Sequence, residues 1–158
     1  SAAAPLSLRP LELHEVVVSA AEDLRFASEA KGIEVDIQVP EELHVMADKD
    51  SLSRVVANLV DNAIRHIPEG SLVRVRGRRE GDWVQLEVED NGPGIESRHH
   101  SRIFERFYRV DTGRTRAAGG TGLGLSIVRH LVEAMGGEIR LDSSPKGGCC
   151  FVVRLKSL

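Results

Sequence analysis

Strand-period segments stand back to back in this chain, and this limits its fold more than any other feature. Apolar and polar residues alternate at 72–78 and again at 83–90, with only a turn that includes Gly81 between them. A second pair, 138–142 and 149–155, forms a hairpin across Pro145-Lys146-Gly147-Gly148. Two further strands are expected, a half-buried one at 33–39 and a short one near 44–47. Helical spacing marks three other segments. The first, 13–30, carries a stripe of Val17, Ala21, Leu24 and Ala27, with Glu12 as a candidate cap and Gly32 as a stop. In the second, Leu52, Val55, Val56, Leu59, Ala63 and Ile64 repeat through to His66 after a cap at Asp48 or Asp50. The third, 122–135, has Leu125, Val128, Leu131, Val132 and Met135 on its apolar face and ends at Gly136-Gly137. This order lacks regular βαβ alternation. It predicts an α+β fold, with a mixed, mostly antiparallel sheet of about five strands covered on one face by three helices.

A chain of 158 residues makes one domain with a real core. Residues 1–10 read as a linker, which leaves 11–158 for the domain. The net charge of -3 gives no electrostatic footprint for nucleic acid. No apolar run is long enough to span a bilayer, and SAAAPLSLRP lacks the pattern of a signal peptide. Cys149 and Cys150 are adjacent and make a poor staple. They read as free thiols, buried or on an edge strand, which fits a reducing cytoplasm.

From 91 to 121 the periodicity dissolves, apart from a short helical piece near 97–106. A loop of that length inside a compact domain is functional or mobile. Four segments of the chain carry residues suited to chemistry. Asp90 ends WVQLEVED in the apolar phase, so its carboxylate points inward. It reads either as a structural carboxylate capping a turn amide or as a ligand contact beside Asn91-Gly92-Pro93-Gly94-Ile95. Asn58 and Asn62 lie one above the other on the second helix, and Arg65 and His66 extend that row. They read either as a solvated face or as oxygen ligands for a hard cation, with Arg65 near phosphate. FERFYRVDTGRTR, 104–116, sets Phe104, Phe107 and Tyr108 among Arg106, Arg109, Arg114 and Arg116. Phe104 and Phe107 pin this loop to the core, while the arginines are solvated or reach phosphate. Finally, GGTGLGLSIV, 119–128, nearly fits a P-loop but holds Leu125 in place of its lysine. The six histidines carry no metal spacing. His99-His100 has no partner carboxylate pattern, and His14-Glu15 reads as structural or exposed.

Together these segments resemble the ATP-binding catalytic domain of bacterial sensor histidine kinases, within the superfamily shared with gyrase, Hsp90 and MutL. NLVDNAIRH (58–66), DNGPGI (90–95), FERFYRVD (104–111) and GGTGLGLSIV (119–128) resemble its N, G1, F and G2 boxes, in order. The resemblance implies the two-layer α/β sandwich of that superfamily, with a long ATP lid from about 96 to 120. It implies ATP and Mg²⁺ as cofactors. Asp90 would bond the adenine amino group, and Asn62 would ligate Mg²⁺ with Asn58 beside it. Arg65 and His66 would lie near phosphate. Gly92, Gly94 and Ile95 would form the turn under the nucleotide. Gly120, Thr121, Gly122, Leu123 and Gly124 would present backbone to the phosphates, with Arg106 or Arg109 closing from the lid.

The sequence departs from the family at two positions. Asn58 stands where hydrolysing relatives carry a glutamate, and Cys149 stands near a frequent threonine. No stretch resembles the H-E-L-R-T-P phosphoacceptor motif. The resemblance therefore implies a catalytic domain that does not phosphorylate itself. It would act on a histidine of a separate dimerisation domain and signal to a response regulator through the full-length kinase. It would be a monomer in isolation and the cytoplasmic part of a membrane-anchored protein.

Overall fold

The computed structural model describes residues 5–108, 110, 124–144 and 147–158. In chain order the elements are β1 (Arg9–Glu12), α1 (Leu13–Asp23), α2 (Arg25–Ala30), β2 (Glu34–Gln38), β3 (His44–Ala47), α3 (Lys49–His66), β4 (Leu72–Glu80), β5 (Trp83–Asp90), α4 (Gly124–Ala134), β6 (Glu138–Ser143) and β7 (Cys149–Lys156). Five strands form the main sheet in the order β2-β4-β5-β7-β6. β2 runs parallel to β4, and the other three pairings are antiparallel. The expected mixed sheet is therefore present, and β1 with β3 makes a separate antiparallel ribbon.

Three local readings change. Arg9 and Pro10, at the end of the expected linker, belong to β1, where they pair with Ala47 and Met46. The helix expected over 13–30 is two helices, because Leu24 leaves helical geometry at φ −100°, ψ 5°. The buried stripe of α1 is accordingly Leu13, Val16, Val17 and Ala20. The helical piece near 97–106 reduces to a single 3₁₀ turn at Ser97–His99.

α3 organises the core. Asp48 caps it, its Oδ2 accepting the Ser51 N–H at 3.0 Å, which satisfies a donor that the first turn leaves open. Leu52, Val55, Val56, Leu59, Val60, Ala63 and Ile64 are buried along one side. With α1 and α4 this face covers Val73 and Val75 of β4, Val84, Leu86 and Val88 of β5, and Phe151, Val153 and Leu155 of β7. Each such Val or Leu contributes about 1.5–3 kcal/mol by leaving water.

The opposite sheet face is polar and paired across strands. Arg74 meets Asp36 at 3.2 Å, Arg76 meets Glu87 at 3.4 Å and Glu89 at 3.2 Å, and Arg154 meets Glu138 at 3.3 Å. Among the described residues no helix is long and apolar enough to cross a membrane.

Candidate functional site

β5 delivers Asp90 to the end of the sheet, where the first residues of β7 arrive beside it. Asp90 Oδ1 accepts the Gly92 N–H at 2.9 Å and the Cys149 N–H at 3.4 Å. The reading of this carboxylate as a cap on the turn therefore holds. One oxygen caps the turn, and Oδ2 makes no hydrogen bond among the described residues. Burial pushes the Asp90 carboxyl above the ordinary carboxylate range. The two N–H donors oppose that shift, and the Glu89 charge adds to it. Asp90 lines a cleft of about 130 Å³ with Leu72, Arg74, Glu89, Asn91 and Ser144. A wider cleft of about 350 Å³, lined by Gln38, Arg76, Arg78, Gln85 and Glu87, lies on the polar sheet face.

Close backbone packing fixes this end. A Cβ on Gly92 would lie 2.7 Å from Ile67 Cγ2, which ties the turn to the residue that follows α3. Gly94 has φ +80°, and a Cβ there would lie 2.7 Å from Gly147 O. At Gly148 a Cβ would sit 1.8 Å from Asp90 O. Asn91 Oδ1 accepts the Leu72 N–H at 2.8 Å, so the turn is also tied to the start of β4. Burial first, then the Asp90 charge, push the Cys149 thiol up to about 12, while the Ile95 backbone N–H acts to lower it. Cys150 is also buried and is likewise pushed up to about 12 by burial. β7 lies inside the sheet, so the two thiols are the buried pair rather than an edge pair.

α3 forms the other side. Asn58 and Asn62 are half-buried one turn apart, and neither side chain has a hydrogen bond among the described residues. Arg65 Nε meets Asp61 at 3.0 Å, and Arg65 and His66 are exposed in the last turn. Beyond the Asp90 turn, Ile103 and Phe104 are buried, and Phe104 packs edge-on against Phe151 with centroids 6.0 Å apart. Phe107 does not share the pinning expected of it, being 65% exposed at φ +64°. The Arg106 guanidinium lies 5.6 Å from its ring centroid.

Residues 47–158 match the family described as histidine kinase-, DNA gyrase B- and HSP90-like ATPase. The sensor-like histidine kinase SenX3 of Mycobacterium tuberculosis is 39% identical over 152 residues, covering 96% of this chain and 37% of that protein. The mycobacterial sensor histidine kinase MprB superposes with a TM-score of 0.83 at 30% identity, covering 96% of this chain and 98% of that one.

The chain belongs to this histidine-kinase ATPase family.

It spans about a third of the length of the curated relatives it matches. Full-length ShkA, solved in complex with AMPPNP, also superposes on this histidine-kinase-type domain. Its TM-score is 0.84 at 28% identity, over 100% of this chain and 33% of that one.

Within the domain the structure brings together Asp90, Gly92, Gly94 and Ile95, and joins them through Ile67 to the helix of Asn58, Asn62, Arg65 and His66. Gly124 opens α4, and Leu125 packs partly buried against the core, as its place on an apolar face requires. Arg109, Gly120, Thr121, Gly122 and Leu123 lie outside the described residues. Two supporting residues escaped the sequence reading. Gly148 leaves room for the Asp90 backbone, and its only local signal is a glycine pair ahead of a strand. Lys31 Nζ donates to Ile64 O at 2.7 Å and Ile67 O at 2.8 Å, capping the carbonyl end of α3 from 33 residues away. No local pattern signals that reach.

Proposed function

We propose that this domain binds ATP with Mg²⁺ and transfers the γ-phosphoryl group to a histidine on a separate dimerisation domain of a sensor kinase. The observation that carries the reading is Asp90: Oδ1 is fixed by two backbone N–H groups and Oδ2 has no hydrogen bond among the described residues. An immobilised carboxylate oxygen at a strand end is a ready acceptor for an exocyclic amine such as adenine N6. Asn58 and Asn62 supply amide oxygens not used elsewhere among the described residues, which fits an oxygen-seeking cation held together with phosphate. They would hold Mg²⁺, which when bound spreads the negative charge of the transferring phosphate. Arg65, His66 and the lid arginines Arg106 and Arg109 would face the phosphates, with the amides of 120–124 beneath them. The chain's part is to position the γ-phosphate; the attacking imidazole belongs to the acceptor domain.

Asn58 cannot serve as the carboxylate base of the hydrolysing relatives, so free ATP should turn over slowly. In the full protein the acceptor passes its phosphate to a response regulator. This domain would then be the cytoplasmic part of a membrane-anchored kinase and monomeric by itself. Calorimetric titration of ATP with Mg²⁺ tests the site. Binding is expected for the parent and a loss of about a hundredfold for Asp90→Asn, because Asn offers a donor where adenine needs an acceptor. Equal binding by the two proteins would exclude this role for Asp90. Adding the dimerisation domain should then give acid-labile phosphohistidine.

A further inference from the structure

His99-His100 had no role in the sequence: two adjacent histidines in a loop, without metal spacing. In the structure each ring has its own partner. His100 Nε2 lies 2.8 Å from Ile95 O. A carbonyl only accepts, so this nitrogen carries the proton. His99 Nδ1 is hydrogen-bonded to the Tyr108 hydroxyl, and the two ring centroids are 5.7 Å apart at 50°. The Arg102 guanidinium packs 4.8 Å from the centroid of the same tyrosine ring. Between these contacts Ile103 and Phe104 are buried.

The Ile95 carbonyl is thus held by His100. Neighbouring Gly94 is held against Gly147 O by close packing. Residues 95–108 therefore form a plate with two apolar plugs and two imidazole tethers. One tether reaches back to the turn beside Asp90, and the other reaches forward to the aromatic segment.

We propose that His99 and His100 are positioning residues for nucleotide binding: His100 fixes Ile95 in the turn under the base, and His99 fixes Tyr108 to the same plate. The proposal rests on the ATP reading above. Groups ordered before binding do not have to be ordered at binding, so the tethers raise affinity without touching the ligand. Their loss appears mainly as faster release.

Two measurements test this. The first is ATP·Mg²⁺ binding and dissociation, and the second is amide hydrogen exchange of the nucleotide-free domain. His100→Ala should bind about tenfold more weakly, the order of one lost hydrogen bond. Its exchange should quicken across residues 92–104 and stay unchanged in β4 and β7. His100→Gln, whose amide can donate from the position of the imidazole Nε2, should restore both. His99→Ala and His99→Asn should behave as a matching pair, read at residues 105–108. If an alanine variant does not fold, His100→Leu fills the ring's space without the donor. The proposal is overturned if exchange is unchanged in His100→Ala, if exchange quickens with no loss of affinity, or if His100→Gln is as weak as His100→Ala. Failure of the parent to bind ATP instead sinks the nucleotide reading, while the exchange data still decide whether the tether exists.

Discussion

At the Asp90 end of the candidate site backbone meets backbone, whereas at the other end the Asn58 and Asn62 side chains stand on a helix without partners among the described residues. Gly92, Gly94 and Gly148 each leave no room for a Cβ, and Asp90 is bonded by two peptide N–H groups. The asparagines, by contrast, are half-buried and unspent among the described residues. The carboxylate end is part of the packing, so the proposed recognition would be coupled to stability there. The helix end is carried by a helix that packs through its other face, so its polar residues can serve a ligand at little structural cost.

The largest expected effect lies at the packed end. Gly148→Ala places a Cβ 1.8 Å from Asp90 O and 2.8 Å from its Oδ1. Those are a main-chain atom and a carboxylate held in place, so β5 and β7 must separate. The expected cost is about 3 kcal/mol, the upper range for overpacking, with nucleotide binding lost as well. Urea unfolding measures it, and a parent-like midpoint would show that the two strand ends are looser than their contacts indicate.

Next comes the contrast within the polar residues. Asn62→Ala removes a side chain with no partner among the described residues, so its unfolding free energy should stay within about 0.5 kcal/mol of the parent. Its Mg²⁺-dependent ATP affinity should nevertheless fall at least about tenfold, the order of a lost ligand contact. Asp90→Asn should also keep its stability, because its Oδ1 can still accept from Gly92 and Cys149. Removing a carboxylate whose ionised form is disfavoured by burial can even raise it. Thermal melts beside the binding titrations check both. A large stability loss in Asn62→Ala would end the comparison between the two regions.

Much of this was legible in the sequence, because the signals were local. The period-2 runs gave the β4–β5 and β6–β7 pairs, and the phase of WVQLEVED put Asp90 inward. The four boxes pointed to the histidine-kinase ATPase family that residues 47–158 match. What stayed hidden was decided by distant partners. β1 has no alternation of its own and is a strand only because β3 lies beside it. Lys31 reads as a surface lysine until Ile64 and Ile67 arrive in space. Phe107 reads as an anchor because it is aromatic, yet Ile103 and Phe104 take the core positions. The burden on Gly148 comes from Asp90, far away in the chain.

α3 is framed by charge at both ends, with Asp48 at its start and Lys31 at its close. Asp48 accepts from Ser51 N and, on its other oxygen, from Ser7 N, both at 3.0 Å. These backbone bonds, the Ser7 one first, hold its carboxyl below the ordinary 3.8. The folded pKa is depressed, so the contribution is present above 3.8 and is lost as pH falls through the folded value. Asp48→Ala should cost about 1 kcal/mol at neutral pH, the usual loss for a helix cap. Asp48→Asn should cost less, because an amide oxygen can still accept from Ser51. On acidification the parent curve should approach that of Asp48→Ala, since only the parent has this increment to lose. Nucleotide affinity should be nearly unchanged in both variants, because the cap lies more than two turns before Asn58. A parallel fall in affinity and stability would mean that the helix end of the site is as tightly coupled to the fold as the Asp90 end.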